Sequence, residues 1–373
     1  MSQARIVSIQ TTNERGGAEY ANVDLLAALH ARGHDVLLLT NFPDLADGAG
    51  IPVEEIDLGP KLARRTYAKV LLTAPLTLLR LARALRGAQP VGALFLHFKK
   101  EQLLCALLPR RLTGDVVWAE WGPVPPRLRS GVPRMLYALA ARRARRIIAI
   151  SEGTRRTIID AGVPGEKVDV VPNLVDVDAV KPDPDSRTRL RAEWGAGEQT
   201  LVVGCISRFQ RRKRNDVVIE AMAHLEGDAM LVIAGEGDEE AALRERAAPY
   251  GERVRFVPNV RGHVESFLSA CDVLVFAPSP TEGEPRVIVM SQLVGVPVIA
   301  TDAEGAAGLI PPRGGTIVSP SNDPVALACV LSGYRDDRER CLREGQTARA
   351  ATLESHAPER TLRAVERAFG LGS

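Results

Sequence analysis

The sequence predicts an α/β protein in which an open, parallel, helix-wrapped sheet is built twice. Three observations lead there. Apolar runs of strand length alternate with helical stretches from Arg5 onward. Pro182, Pro184 and Gly195-Ala196-Gly197 interrupt that alternation, which restarts at Leu201. The 373 residues are enough for two domains, each with a sizeable core. Strands separated by helices call for parallel pairing, because a parallel neighbour is reached only by a crossover.

In the first half, Arg5–Ile9 and Asp35–Thr40 read as strands flanking a helix, Glu19–Arg32, that Gly33-His34 close. Further strand-like runs follow at Val91–His97, Asp115–Glu120, Arg146–Ile150 and Val168–Val171. Between Lys61 and Arg86, leucines and valines are mixed with Arg and Lys, and Pro75 is expected to break or kink the helix. The second half repeats the plan with Leu201–Ile206, Met230–Ala234, Val254–Val257, Asp272–Phe276, Val296–Ala300 and Gly315–Val318. Thr361–Phe369 reads as a last helix. The expected division is 1–180, 200–355 and a C-terminal segment, 356–373.

The most informative stretch is Phe276 to Thr301. A strand ends at Phe276, a Pro/Ser/Glu/Gly loop follows, and Pro285 sits where a first helical residue can lack its N–H. Val287, Met290, Ser291 and Val294 repeat at helical spacing, and Gly295 and Pro297 release the next strand. Glu282 is thereby held in a loop beside a helix N-terminus, at the edge of a parallel sheet where ligands bind.

Composition narrows the class. The chain is 45% apolar and 25% charged, as in soluble globular proteins. Five cysteines, at 105, 205, 271, 329 and 341, are odd in number and mostly inside apolar runs. They read as packing thiols of a reducing compartment rather than disulfides or zinc ligands. No signal-like region precedes the first strand, and nothing nears the ~20 apolar residues of a membrane span, so a cytoplasmic protein is expected. The net charge of +2 hides a basic segment: residues 58–156 hold 20 Lys/Arg against 4 Asp/Glu. An anionic membrane, an acidic substrate or a plain solvated surface fits that excess. Nucleic acid fits less well, since aromatics are 4% and no stacking motif interleaves with the charges.

Several blocks carry a resemblance. Glu282-Gly283, with Gly295, Pro297 and Val298 downstream, is similar to the Glu-Gly-Phe-Gly … Gly-x-Pro-Val pattern of family-4 (group 1) retaining glycosyltransferases. Ser207-Arg208-Phe209 with Lys213 resembles the Gly-Arg-Leu … Lys block of that family. Gly16-Gly17-Ala18-Glu19, Ile150-Ser151-Glu152 and Val171-Pro172-Asn173 match as well, so the likeness runs from Arg5 to Phe369. There are departures. Glu284-Pro285 replace Phe-Gly, Met290 stands where a second Glu is usual, and Trp121 stands where a His precedes Gly122.

The resemblance implies the GT-B fold, two Rossmann-like domains facing each other across a cleft, the last helix crossing back to the first. It implies a hexosyltransferase-like, metal-independent enzyme that moves a sugar from a nucleoside diphosphate to an acceptor hydroxyl with retention. No cofactor is expected. The acceptor would be a glycan, a glycolipid or a small molecule, held by the N-terminal domain, and peripheral contact with the inner membrane face is a further expectation.

Arg208 and Lys213 would meet the charge that develops on the leaving diphosphate, and Glu282 would hold donor-sugar hydroxyls. These three are the catalytic candidates. Gly16, Gly17, Gly283, Glu284, Pro285, Arg286 and Met290 complete the donor-binding candidates. His97, Glu120 and Trp121 are candidates for acceptor or sugar contact. The Asp176-Val177-Asp178 and Asp183-Pro184-Asp185 pairs imitate a metal motif but fall at the linker, and Gly235-Glu236-Gly237 lacks the third Gly of a dinucleotide fingerprint. Two rival readings stand beside the transferase: a non-catalytic partner or regulator of the same fold, and another GT-B enzyme such as a nucleotide-sugar epimerase.

Overall fold

A computed structural model describes residues 5–12, 16–62, 65–260, 262–278, 282–303, 305–320 and 322–371. The chain divides into two compact units, Met1–Leu174 with Pro358–Ser373, and Val175–Ala357.

The first unit is built on seven parallel strands: β1 (Arg5–Gln10), β2 (Val36–Thr40), β3 (Val53–Glu55), β4 (Val91–Leu96), β5 (Asp115–Glu120), β6 (Ala144–Ala149) and β7 (Val168–Val170). Their spatial order is β3-β2-β1-β4-β5-β6-β7. Its helices are α1 (Gly17–Ala31), α2 (Tyr67–Gly87), α3 (Lys99–Cys105), α4 (Arg110–Thr113), α5 (Gly131–Ala141) and α6 (Glu152–Asp160). Successive residues of a strand point to opposite faces, so a sheet covered on both sides needs apolar side chains at nearly every position. That is why the central strands read as continuous apolar runs. Leu94 and Leu96 enter one core with Leu81 and Leu85 of α2 and Tyr137 of α5, while Ala93 and Phe95 enter the opposite core with Leu26 and Leu29 of α1. Each such large side chain contributes roughly 1.5–3 kcal/mol on burial.

The second unit has six parallel strands, β8 (Leu201–Ile206), β9 (Ala229–Ala234), β10 (Val254–Val257), β11 (Val273–Phe276), β12 (Val298–Thr301) and β13 (Gly315–Val318), in the order β10-β9-β8-β11-β12-β13. Around them lie α7 (Pro184–Trp194), α8 (Asn215–Ala221), α9 (Glu240–Ala247), α10 (Val264–Ala270), α11 (Arg286–Leu293), α12 (Pro324–Asp336) and α13 (Arg338–Ser355). The chain ends in α14 (Pro358–Phe369), which belongs to the first unit. There Leu362, Val365 and Phe369 join the α1-side core, Phe369 lies edge-on to Phe95 at 5.1 Å, and Glu366 bonds both Arg32 and His34.

The structure differs from the sequence reading in three places. Pro75 neither breaks nor ends α2, which runs through it for 21 residues. The carbonyl that loses its donor belongs to Leu71, an exposed position where solvent can satisfy it. Residues 182–197 are not a plain linker. Asp183 accepts from the Ser186 amide at 2.9 Å, Pro184 opens the first turn, and α7 follows with Trp194 buried at its end. Finally, β3 is a three-residue, mostly exposed edge strand that no apolar run announces.

Asp272, just before β11, anchors α7 and α13 to the second sheet. Its Oδ1 accepts from Arg187 (2.7 Å) and pairs with Arg338 (2.7 Å), while Oδ2 accepts from Arg191 (3.0 Å) and the Val202 amide (2.8 Å). Four of the five cysteines are buried thiols, whereas Cys329 is exposed. No described helix is long and apolar enough to cross a membrane.

Candidate functional site

Each sheet has one point where the strand order reverses: between β1 and β4 in the first unit, and between β8 and β11 in the second. Loops leaving the carboxyl ends of two such strands diverge and leave a crevice, the usual ligand site of an open parallel sheet. Gly16, Gly17 and His97 follow the two strands of the first point, Arg208, Lys213 and Glu282 those of the second, and Glu120 and Trp121 lie at the end of β5.

In the second unit, the loop after β8 carries Arg208 and Lys213, and the loop after β11 carries Glu282. Lys213 donates from Nζ to Glu282 Oε1 at 2.7 Å, and both side chains are nearly buried, 12% and 13% exposed. Burial lowers the Lys213 pKa, opposed by Glu282 and reinforced by the charges of Arg212 and Arg208. The ammonium also lies 5.1 Å from the centre of the Phe276 ring. Arg212, which in sequence looks like one more surface charge, donates from Nη1 to the same carboxylate oxygen at 2.6 Å. Arg208 is exposed beside this cluster. Ser279, Pro280 and Thr281 of the predicted loop lie outside the described residues.

Backbone packing sets these loops. Gly235 has φ +155, and a Cβ there would come within 2.0 Å of the Ser207 carbonyl oxygen. The Phe209 amide donates to the Glu236 carbonyl at 2.8 Å. Gly235-Glu236-Gly237 is thus the seat of the Arg208 loop. On the other side, Gly305 (φ +89) lets the carbonyls of Glu282 and Gly283 approach where a Cβ would stand 2.3 and 2.1 Å away.

The remaining candidates of this unit are spread out. Glu284 turns inward, its side chain 3% exposed, with Oε1 3.4 Å from Nε2 of the buried His356. Pro285 precedes α11 and Arg286 opens it, both partly buried. Of the stripe the spacing suggested, Ser291 and Val294 are buried, while Val287 and Met290 are only partly buried against the cluster that holds Ile288, Val289 and Leu293.

In the first unit, Gly16 and Gly17 open α1. A Cβ on Gly16 would press within 2.9 Å of Glu19 Oε2, whereas Gly17 has open space. Glu19 is the organiser here: it accepts from the Gly16 amide (3.2 Å), Thr12 Oγ1 (2.8 Å) and Lys61 Nζ (3.3 Å). His97 is 5% exposed, and burial pushes its pKa down to about 3. Trp121 Nε1 donates to His97 Nδ1 at 3.0 Å, so the ring proton sits on Nε2 and faces Ser8 Oγ at 2.8 Å. Both nitrogens are committed, and the imidazole is a neutral support for Trp121, which stacks on it at 5.8 Å.

Glu120 is equally committed. It accepts from Gln102 (3.2 Å), Tyr137 (2.9 Å) and Lys99, and is 4% exposed. A buried carboxylate that sequence reasoning passed over, Glu101, accepts from Thr11 and lies 3.4 Å from Lys100 Nζ; burial raises its pKa. Lys100 spends its donors on the carbonyls of Leu58, Gly59 and Pro60, fixing the loop that delivers Lys61. Only the step from apolar strand to charged residues at Lys99-Lys100-Glu101 hinted at this network.

The same unit carries a second candidate surface. Leu71, Leu72, Leu76 and Leu79 of α2 and Val132, Met135, Leu136 and Leu139 of α5 are each more than half exposed. Both helices cover the same face of the sheet. Lys69, Arg80, Arg83 and Arg134 are exposed among these leucines.

The Asp-x-Asp pairs have local work. Asp176 caps a turn by accepting from the amides of Asp178 (3.0 Å) and Ala179 (2.9 Å), and Asp183 caps α7. Among the described residues, no group of three His, Cys, Asp or Glu side chains is placed to hold a metal ion.

Residues 186–351 match the family profile of glycosyl transferases group 1, and residues 15–179 that of Glycosyltransferase Family 4. A GDP-mannose-dependent α-(1-6)-phosphatidylinositol monomannoside mannosyltransferase of Mycolicibacterium smegmatis is 29% identical over 219 residues, 55% of this chain and 57% of that protein. A GDP-mannose-dependent monoacylated α-(1-6)-phosphatidylinositol monomannoside mannosyltransferase of Corynebacterium glutamicum is 32% identical over 192 residues, 48% of this chain and 50% of that protein. The chain thus spans about half the length of these curated relatives. Anabaena HepE, crystallised with UDP and glucose, superposes with a TM-score of 0.84 at 21% identity, over 99% of this chain and 100% of that one. That likeness is one of fold.

Proposed function

For this chain, which belongs to the group 1 glycosyltransferases, we propose transfer of a sugar from a nucleoside-diphosphate sugar to an acceptor hydroxyl, with retention of configuration. The observation that carries the proposal is the meeting of Lys213 and Glu282 at the β8–β11 reversal, beside Arg208. As the bond from the anomeric carbon to the diphosphate oxygen breaks, charge grows on the diphosphate. Cations fixed there stabilise the transition state more than the bound donor. Arg208 and Lys213 fill that role without a metal ion or a cofactor. Glu282 accepts hydrogen bonds from the sugar hydroxyls. The bond from the acceptor oxygen forms on the face the diphosphate leaves, and the acceptor proton passes to the departing phosphate oxygen. The second unit holds the donor and the first the acceptor.

His97 and Glu120 enter this reading as supports rather than as acid or base, since their polar atoms are already engaged. The acceptor is a glycan, a glycolipid or a small hydroxyl compound, and the α2–α5 surface favours a glycolipid. Exposed leucines ringed by Lys and Arg suit the interface of an anionic bilayer. The protein then works in the cytoplasm, at the inner membrane face.

The test is a thermal-shift screen of nucleoside diphosphates and nucleotide sugars, with release of nucleoside diphosphate followed in parallel. A stabilising nucleotide sugar that is turned over supports the transferase. Stabilisation without turnover, across a broad acceptor panel, favours the non-catalytic rival, and turnover to an isomerised donor favours the epimerase. Arg208→Ala and Lys213→Ala are each expected to weaken diphosphate binding by about ten- to a hundred-fold.

A further inference from the structure

Two cations share one carboxylate oxygen at the β8–β11 reversal. Arg212 Nη1 and Lys213 Nζ both donate to Oε1 of Glu282, at 2.6 and 2.7 Å. Oε2 has no partner among the described residues. Arg212 is further tied by Nε to Gln210 at 3.2 Å, and its Nη2 is uncommitted among the described residues. The neighbouring charges have other work: Arg214 pairs with Asp216 at 3.1 Å, and Glu284 faces His356.

A diphosphate brought to this loop carries more negative charge than one carboxylate and offers more acceptor oxygens. Carboxylate and diphosphate repel each other, so they do not share the same two donors in a desolvated site. We propose that Arg212 is a donor-site residue and that Glu282 is the resident counter-anion of the Arg212–Lys213 pair, displaced when a nucleoside diphosphate arrives. The freed carboxylate then turns to the sugar hydroxyls. This rests on the donor reading above and adds an exchange to it. Free nucleoside diphosphate must evict Glu282 and gives it nothing in return. A nucleotide sugar evicts it and supplies new hydroxyl donors. The exchange thus favours donor over product at one set of cations.

Titration calorimetry with GDP, UDP, GDP-mannose and UDP-glucose tests this. Glu282→Gln is expected to bind the free nucleoside diphosphate about three- to tenfold tighter than wild type, while binding the matching nucleotide sugar more weakly. Arg212→Ala is expected to weaken both by about tenfold, with partial recovery in Arg212→Lys. In the double variant, the gain from Glu282→Gln shrinks, because one of the two competing cations is gone. Unchanged melting of each variant without ligand shows that the fold is intact. If Glu282→Gln binds free nucleoside diphosphate no more tightly, or Arg212→Ala binds like wild type, the exchange is wrong although the donor reading stands. If wild type binds none of the four ligands, the donor reading falls and the exchange with it.

Discussion

Replacing Asp272 by Asn should loosen the second sheet, and the geometry sets the size of the effect. One carboxylate oxygen serves Arg187 and Arg338, and the other serves Arg191 and the Val202 amide. An amide offers one acceptor, so its NH2 must face donors on one side or the other. Breaking a buried charge pair costs about 3–5 kcal/mol. Arg187 is 39% exposed and Arg338 27%, so solvent screens their share, whereas Arg191 is 9% exposed. The expected loss is about 3 kcal/mol, near the lower end of that range. Hydrogen exchange of β8 and β11 amides, read by mass spectrometry, should then speed up about a hundredfold. The pH dependence has a definite sign. Burial pushes the Asp272 carboxyl up, but Arg338, Arg187 and the Val202 amide hold it net below its ordinary 3.8. Its contribution is therefore full above the unfolded value and is lost as pH falls through the lower folded one. The Asn variant lacks that acid-dependent step. A change in exchange of less than about tenfold would refute the claim that Asp272 anchors α7 and α13.

Other expectations follow from the same geometry. The His97 imidazole should show no NMR titration between pH 8 and 4, and the first unit should lose stability as pH falls from 6.5 toward about 3, because only the unfolded chain takes up that proton; a titration midpoint near 6.5 would place the ring in solvent. Met290 lacks the acceptors to hold ribose hydroxyls, so wild type should discriminate little between ribose and 2′-deoxyribose nucleotides, and Met290→Glu should create a preference of roughly 1–3 kcal/mol; calorimetry with both forms decides it, and no gain would set Met290 apart from the nucleotide. Leu72→Glu and Leu136→Glu should each reduce flotation with anionic vesicles, and rising salt should reduce it for wild type; a wild type that stays in solution with such vesicles at low salt would make the acceptor a soluble molecule.

Much of the architecture was legible because buried parallel strands must be apolar on both faces. Asp115–Glu120, Leu201–Ile206, Val254–Val257 and Gly315–Val318 lie where the sequence runs put them, and the other expected strands shift by a residue or two at their ends. What was not legible has physical reasons. Five of the eleven residues of α7 are charged, so no apolar stripe announced it, and its cohesion comes from Arg187 and Arg191 reaching Asp272 far along the chain. Pro75 looked like a breaker because the sequence does not say that its lost hydrogen bond falls on an exposed side. Spacing singled out Lys213 and Glu282, which the fold brings together, but Arg212 was hidden in a run of like charges until the fold brought Glu282 beside it. Trp121 and His97 were separate candidates in sequence and prove to be one stacked, hydrogen-bonded pair. Glu120 and Glu101 read as possible contacts or as nothing, because burial and partners are tertiary facts.

On the proposed function, the β8–β11 reversal of the second unit binds the diphosphate of a nucleotide sugar. A crystal structure with a nucleoside diphosphate bound tests it directly. Diphosphate oxygens within about 3 Å of Arg208 and Lys213 are the predicted result. A diphosphate seated away from both residues, with Lys213 still holding Glu282, would contradict it.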